Sequence, residues 1–152
     1  MMKRCRLFFC SLIILLFTAL TAFAASPSNS GLAGLWEYPT ADMPGDGMGW
    51  ISYSDFYPYR SGSASIGLFP WLEMNIRLTE FETADIISPG YGRYKDKAMD
   101  VKFLLMDQKG SRPAIAVGAL DMMGTEIRKA YFAAGTWRHK ELSVTLGYAT
   151  DT

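Results

Sequence analysis

The sequence predicts an all-β protein, an antiparallel up-and-down meander that forms part of a β-barrel. Three observations predict it. Apolar and polar residues alternate with a period of two in most segments after residue 47, the mark of strands with one apolar and one polar face. Pro, Gly, Asp and Lys punctuate those segments at turn positions. No stretch after residue 24 carries the three-to-four-residue apolar spacing of an amphipathic helix.

The chain opens on a different composition. Lys3, Arg4 and Arg6 form a positive n-region, and Leu7 to Leu20 is almost wholly apolar. Ala22-Phe23-Ala24 puts small residues at the two positions that signal peptidase reads. Residues 1–24 are expected to be a signal peptide cut after Ala24. The apolar run of about fourteen residues is short against the roughly 20 that a membrane-spanning helix needs. Cys10 lies inside that run and not at its end, which argues against a lipoprotein signal. Cys5 and Cys10 are the 2 cysteines of the 152-residue chain, so the remainder has no disulfide framework or thiolate metal site. Cleavage removes three of 15 basic residues, leaving twelve against 15 acidic ones, a net charge of −3. That balance argues against nucleic acid as a partner.

Residues 25–47 read as an exported, turn-rich lead-in. Ser26 to Gly34 is small and polar, like a linker, and Pro39, Pro44, Asp42 and Asp46 exclude a helix beyond it. Residues 48–152 read as a barrel segment of about seven strands. The first spans Met48 to Ser54, and a loop is expected from Asp55 to Gly62. The second spans Ser63 to Phe69, where Ala64, Ile66 and Leu68 alternate with Ser and Gly. Pro70 cannot donate to a ladder, so it marks a tight reversal. The third strand, Trp71 to Glu82, alternates Leu72, Met74, Ile76 and Leu78 with Glu73, Asn75, Arg77 and Thr79. Thr83 to Lys97 reads as a long loop. The fourth strand, Met99 to Met106, sets Val101, Phe103 and Leu105 on one face. Asp107 to Arg112 turns into the fifth, Pro113 to Leu120, and Asp121 to Arg128 forms a loop. The sixth spans Lys129 to Arg138, and the seventh, Glu141 to Ala149, follows a turn at His139-Lys140.

Connections after the second, fourth and sixth strands are short, and those after the first, third and fifth are longer. Meandering strands put alternate connections on opposite ends, and outer-membrane barrels show this asymmetry, with short turns in the periplasm. Residues 83–97 are then expected outside the cell, with Pro70 and His139 in the periplasm. Aromatic residues near strand ends (Phe69, Trp71, Phe81, Trp137, Tyr148) suit interfacial girdles. Alternation alone does not decide which face is buried: a soluble barrel buries Leu72 to Leu78, whereas a membrane barrel turns them to lipid. With the export signal, these features favour the cell outer membrane. The rival is a soluble periplasmic β domain that binds glycan or partner proteins.

Gly34-Leu35-x-x-x-Pro39-Thr40-Ala41 followed by Asp46-Gly47 resembles the opening of YjbH-type proteins of exopolysaccharide or capsule biosynthesis. Further resemblances are Phe69-Pro70-Trp71-Leu72-Glu73, Tyr94-Lys95-Asp96-Lys97 leading into Asp100-Val101-Lys102, and Pro113-Ala-Ile-Ala-Val-Gly118 with Asp121 and Gly124-Thr125. The ordered set covers nearly all of the chain after the signal. The resemblance implies a Gram-negative outer-membrane β-barrel of polysaccharide production or export, with no catalytic motif. Family members are several times longer, so this chain is expected to be the N-terminal portion of a longer barrel.

No catalytic residue, metal site or cofactor is expected, and an enzyme is not. His139 is the only histidine and sits in a turn. Ser63-Ala-Ser65-Ile-Gly67 lacks the first glycine of a nucleophile elbow. Gly45-Asp-Gly47-Met-Gly49 has the wrong spacing for a dinucleotide loop. Glu80 and Glu82 continue the Leu72-to-Leu78 face and mark its exit into water. Two polar sets remain. Glu73, Asn75, Arg77 and Thr79, with Lys102 beside them, are expected to line a lumen, where an Arg at Asn75 would be mild. Tyr91, Arg93, Tyr94, Lys95 and Lys97 are a candidate glycan-contacting loop. The expected partners are outer-membrane lipid, polysaccharide and other proteins of an exopolysaccharide system.

Overall fold

A computed structural model describes residues 25–82 and 93–151. The expected signal peptide and residues 83–92 of the long loop lie outside the described residues. Every regular element among them is a strand. β1 (Gly34–Leu35) and β2 (Tyr38–Pro39) pair as a small hairpin. β3 (Gly49–Phe56), β4 (Tyr59–Phe69), β5 (Leu72–Phe81), β6 (Tyr94–Met106), β7 (Ala114–Leu120), β8 (Ala130–His139) and β9 (Leu142–Asp151) form a seven-stranded antiparallel sheet in chain order. The sheet curls into a half-barrel whose edges are β3 and β9.

All seven sheet strands fall where alternation places them, but β3, β4 and β6 run on into expected loops. The loop expected over Asp55 to Gly62 is mostly strand: Asp55 pairs with Arg60 and Phe56 with Tyr59, leaving Tyr57-Pro58 as the turn. The Arg60 guanidinium meets Asp55 across that turn at 3.2 Å and Glu82 at 2.6 Å. Likewise β6 begins at Tyr94, paired with Phe81, so residues 94–97 belong to a strand and not to a loop. The connections at one end are residues 57–58, 82–93 and 121–129, and at the other 70–71, 107–113 and 140–141. The asymmetry therefore rests on 82–93 and 121–129 alone.

The burial of the two faces is inverted relative to a soluble domain. On the concave face, Ser61, Ser63, Ser65, Glu73, Asn75, Arg77, Thr79, Asp96, Asp100, Lys102 and Thr136 are buried. On the convex face, Ile51 is 90% exposed, Leu146 82%, and Ile76 and Leu78 62% each. Near the 70–71 turn the convex face carries a stacked aromatic row, Phe69 on Trp71 (5.3 Å between centroids) and Trp71 on Phe103 (6.2 Å).

The lead-in covers the concave face. Ser28, Ser30, Leu32, Ala33, Thr40 and Ala41 are buried against it. Ala41 packs on Ala114 and Ala116, with Leu104 beside them, forming a small apolar core. Residues 26–34 are thus no free linker. Charged side chains withdrawn from water need partners, and the backbone of this segment supplies them.

Candidate functional site

The alternation of β5 and β6 brings their polar residues together. Antiparallel register sets Glu73 opposite Lys102 and Asn75 opposite Asp100. Lys102 Nζ lies 2.6 Å from Glu73 Oε2, and neither side chain is exposed. Lys102 also donates to the carbonyls of Ala33 (2.8 Å) and Asp42 (2.6 Å). Glu73 Oε1 accepts from Ala33 N and Ser65 Oγ, both at 2.8 Å. Desolvating two such charges is expensive, and this geometry offsets it by giving each ion several partners.

Asp100 is the second hub. It accepts from Asn75 Nδ2 (2.7 Å), Arg77 (3.3 Å) and the backbone N–H of Asp121 (2.8 Å). Asn75 also donates to the Ser30 carbonyl at 2.8 Å. The lead-in is tied further by Trp50 Nε1 to the Gly31 carbonyl (2.7 Å), by the Ala41 N–H to Thr136 Oγ1 (2.9 Å), and by an ion pair between Asp42 and Arg138. Gly31 is needed there. Its φ is +96°, and a Cβ would collide with Ser63 Oγ and come within 2.6 Å of Asn75 Oδ1.

The loop 121–129 closes one end. Asp121 Oδ2 accepts from the Arg128 N–H at 3.0 Å, and Thr125 donates to Asp96. The Arg128 guanidinium sits 4.9 Å over the Tyr59 ring. Desolvation and the like charge of nearby Arg77 push Arg128 below its ordinary pKa. A hydrogen bond from Lys129 to Glu126 (3.1 Å) raises that of Lys129. Arg77 Nε, Asp96 Oδ2 and Asp121 Oδ1 are buried without a hydrogen-bond partner among the described residues. Between this loop, the β1–β2 hairpin and strands β8 and β9 lies a cavity of about 690 Å³.

Four of the residues expected to line a lumen (Glu73, Asn75, Arg77, Lys102) converge on one buried network, and Thr79 bonds to Ser61 Oγ at 3.0 Å beside it. The face is filled by the lead-in, so an Arg at Asn75 would have no room and the expectation of a mild effect fails. The loop set is dispersed. Tyr91 lies outside the described residues. Arg93 pairs with Glu80 at 2.9 Å. Tyr94 packs on Phe81 at 5.9 Å, while Lys95 and Lys97 are exposed on the opposite, convex side of β6. Glu80 and Glu82 each have a separate arginine partner, and His139 stacks on Trp137 at the end of β8. Among the described residues no group of three or more His, Cys, Asp or Glu could hold a metal ion.

The exopolysaccharide biosynthesis family model, described as "Exopolysaccharide biosynthesis protein YbjH", matches residues 26–152. The chain belongs to the YjbH family. An Escherichia coli K12 relative, "Uncharacterized lipoprotein YjbH", is 38% identical over 129 residues, covering 81% of this chain and 18% of the relative. The chain thus spans under a fifth of that YjbH protein's length. No solved structure gives a significant match.

Sequence reasoning missed Asp100 and Asp121, which tie the network to the 121–129 loop, Asp96, which accepts from Thr125 of that loop, and the cationic group Arg128 and Lys129. A usable signal was present for two of them: Asp96, Asp100 and Lys102 share one parity in the fourth strand. Charges at every second position of a strand point to one face, and that face has to satisfy them.

Proposed function

We propose that this chain forms part of an outer-membrane β-barrel serving exopolysaccharide production or export, without catalysing bond chemistry itself. The observation that carries the proposal is the inversion of faces: Glu73 and Lys102 are 0% exposed while Ile51 and Leu146 are 90% and 82% exposed. Water penalises such an exterior, and hydrocarbon does not. The stacked Phe69, Trp71 and Phe103 would sit at an interface girdle, and the relative's description as a lipoprotein supports an exported, membrane-associated setting. The role is that of a lined passage or an assembly surface, because most of the buried polar groups are spent on one another and on the lead-in.

Cell fractionation tests it. The protein is expected in the outer-membrane fraction, released by detergent and not by high salt. Recovery in the soluble periplasm would replace it with a soluble β domain that binds glycan or protein. For orientation, Cys introduced at Met123, in the 121–129 loop, should react with an impermeant reagent on whole cells, and Cys at Lys140 should not.

A further inference from the structure

The cavity beside the lead-in has a chemistry the barrel reading does not use. Arg77, Arg128 and Lys129 line it together with one carboxylate, Glu37, and one aromatic residue of the lead-in, Tyr38; Arg77 also pairs with Asp100 and Lys129 with Glu126. Its volume of about 690 Å³ falls within the 300–1,000 Å³ typical of ligand sites. Arg77 is 2% exposed; one Nη reaches Asp100 at 3.3 Å, but its Nε has no hydrogen-bond partner among the described residues. A buried guanidinium N–H without an acceptor is costly, and a carboxylate is the group that fits its planar donor fork. The Arg128 guanidinium lies over the Tyr59 ring, and the Arg128 backbone N–H donates to the Asp121 carboxylate. The charge of Arg77 lies close enough to disfavour that of Arg128. Two like charges fixed at one cavity wall are relieved by an anion.

We infer that this cavity binds an acidic saccharide, a hexuronate unit whose carboxylate meets Arg77 and Arg128 while a tyrosine ring covers a sugar face. The cations select the acid, and the Tyr38 ring selects a sugar over a bare anion. Aromatic rings offer sugars an apolar surface, and their polar tips remain free to bond hydroxyls. The inference rests on the exopolysaccharide role proposed above and names its substrate class.

The test uses the full 152-residue chain extracted from its native fraction. Binding of tetragalacturonate is compared with that of neutral cellotetraose, with inorganic phosphate as competitor. Tetragalacturonate is expected to bind at least tenfold tighter than cellotetraose, and more weakly as salt rises. Arg128→Gln and Lys129→Gln should each weaken it several-fold, and the double variant should bring it near the neutral tetramer. Lys95→Gln, on the convex face, should change nothing; melting curves for all variants check folding. Equal affinity for the two tetramers, an equal loss in Lys95→Gln, or displacement by equimolar phosphate would each overturn the inference. Fractionation of the same preparation separates the two proposals. Outer-membrane protein that binds neither tetramer overturns this one alone, and soluble protein that prefers the uronate overturns only the barrel.

Discussion

Glu73 and Lys102 stand opposite each other in neighbouring strands, 2.6 Å apart and wholly buried, and both also bind the backbone of Ala33. One ion pair thus joins the sheet to the segment that fills it. Lys102→Met removes the ion partner of the buried Glu73, which costs about 3–5 kcal/mol. Adding Glu73→Gln is expected to restore only part of this. The Ala33 and Asp42 carbonyls still lose their donor, at about 1–3 kcal/mol for a buried unsatisfied group. Urea unfolding of the single and double variants measures both quantities. Full recovery in the double variant would mean that the carbonyl contacts contribute nothing.

Gly31→Ala tests whether the lead-in is seated as described. The positive φ costs about 1–3 kcal/mol for a residue with a Cβ, and Ser63 and Asn75 leave that Cβ no space. Residues 25–47 should become protease-sensitive while β3 to β9 stay protected. Limited proteolysis with mass spectrometry reads this, and an unchanged cleavage pattern would count against the packing of Gly31.

Ile76→Arg separates the membrane from the aqueous reading. Ile76 is 62% exposed at mid-strand. In a soluble domain an exposed substitution stays within about 0.5 kcal/mol of neutral. At the bilayer midplane the same change costs about 2–4 kcal/mol. Assembly into membranes should therefore fall sharply. Normal yield in the membrane fraction would remove the convex face from lipid.

The sheet edges lead to a fourth expectation. β3 and β9 each have one neighbour among the described residues. An unsatisfied backbone group in hydrocarbon costs several kcal/mol, so an open edge does not persist there. In the outer membrane both edges should therefore be paired by further strands, and the chain should migrate in an assembly larger than its monomer. Semi-native gels of outer membranes test this, and a heat-modifiable, protease-resistant monomer would show that the seven strands close unaided.

The strands were legible because alternation is a local property. Leu72 to Thr79 reads as a strand without knowledge of any other residue. The Tyr57-Pro58 turn was not, because Phe56, Tyr57, Pro58 and Tyr59 resemble an aromatic loop until Asp55 and Arg60 are seen to pair. The lead-in was the largest omission. Ser28, Ser30, Leu32 and Ala33 have no periodicity, and small polar residues suit a linker as well as a tight interior. What demanded an occupant was far away in sequence, in Glu73, Asp100 and Lys102. Arg77 was legible as inward-facing, but its proximity to Arg128 depends on how the 121–129 loop folds back on Asp96 and Asp121.

The lead-in is the first part of the described chain to be made, yet its Ala41 N–H bonds to Thr136, in the last strand but one. A cylinder that had already closed could not admit this segment sideways through its wall. In a barrel that closes, the curling sheet would have to gather round it, strand after strand, while it is still accessible. Residues 25–47 would then act as a mandrel, giving the polar lining of the nascent wall something to grip as it curls.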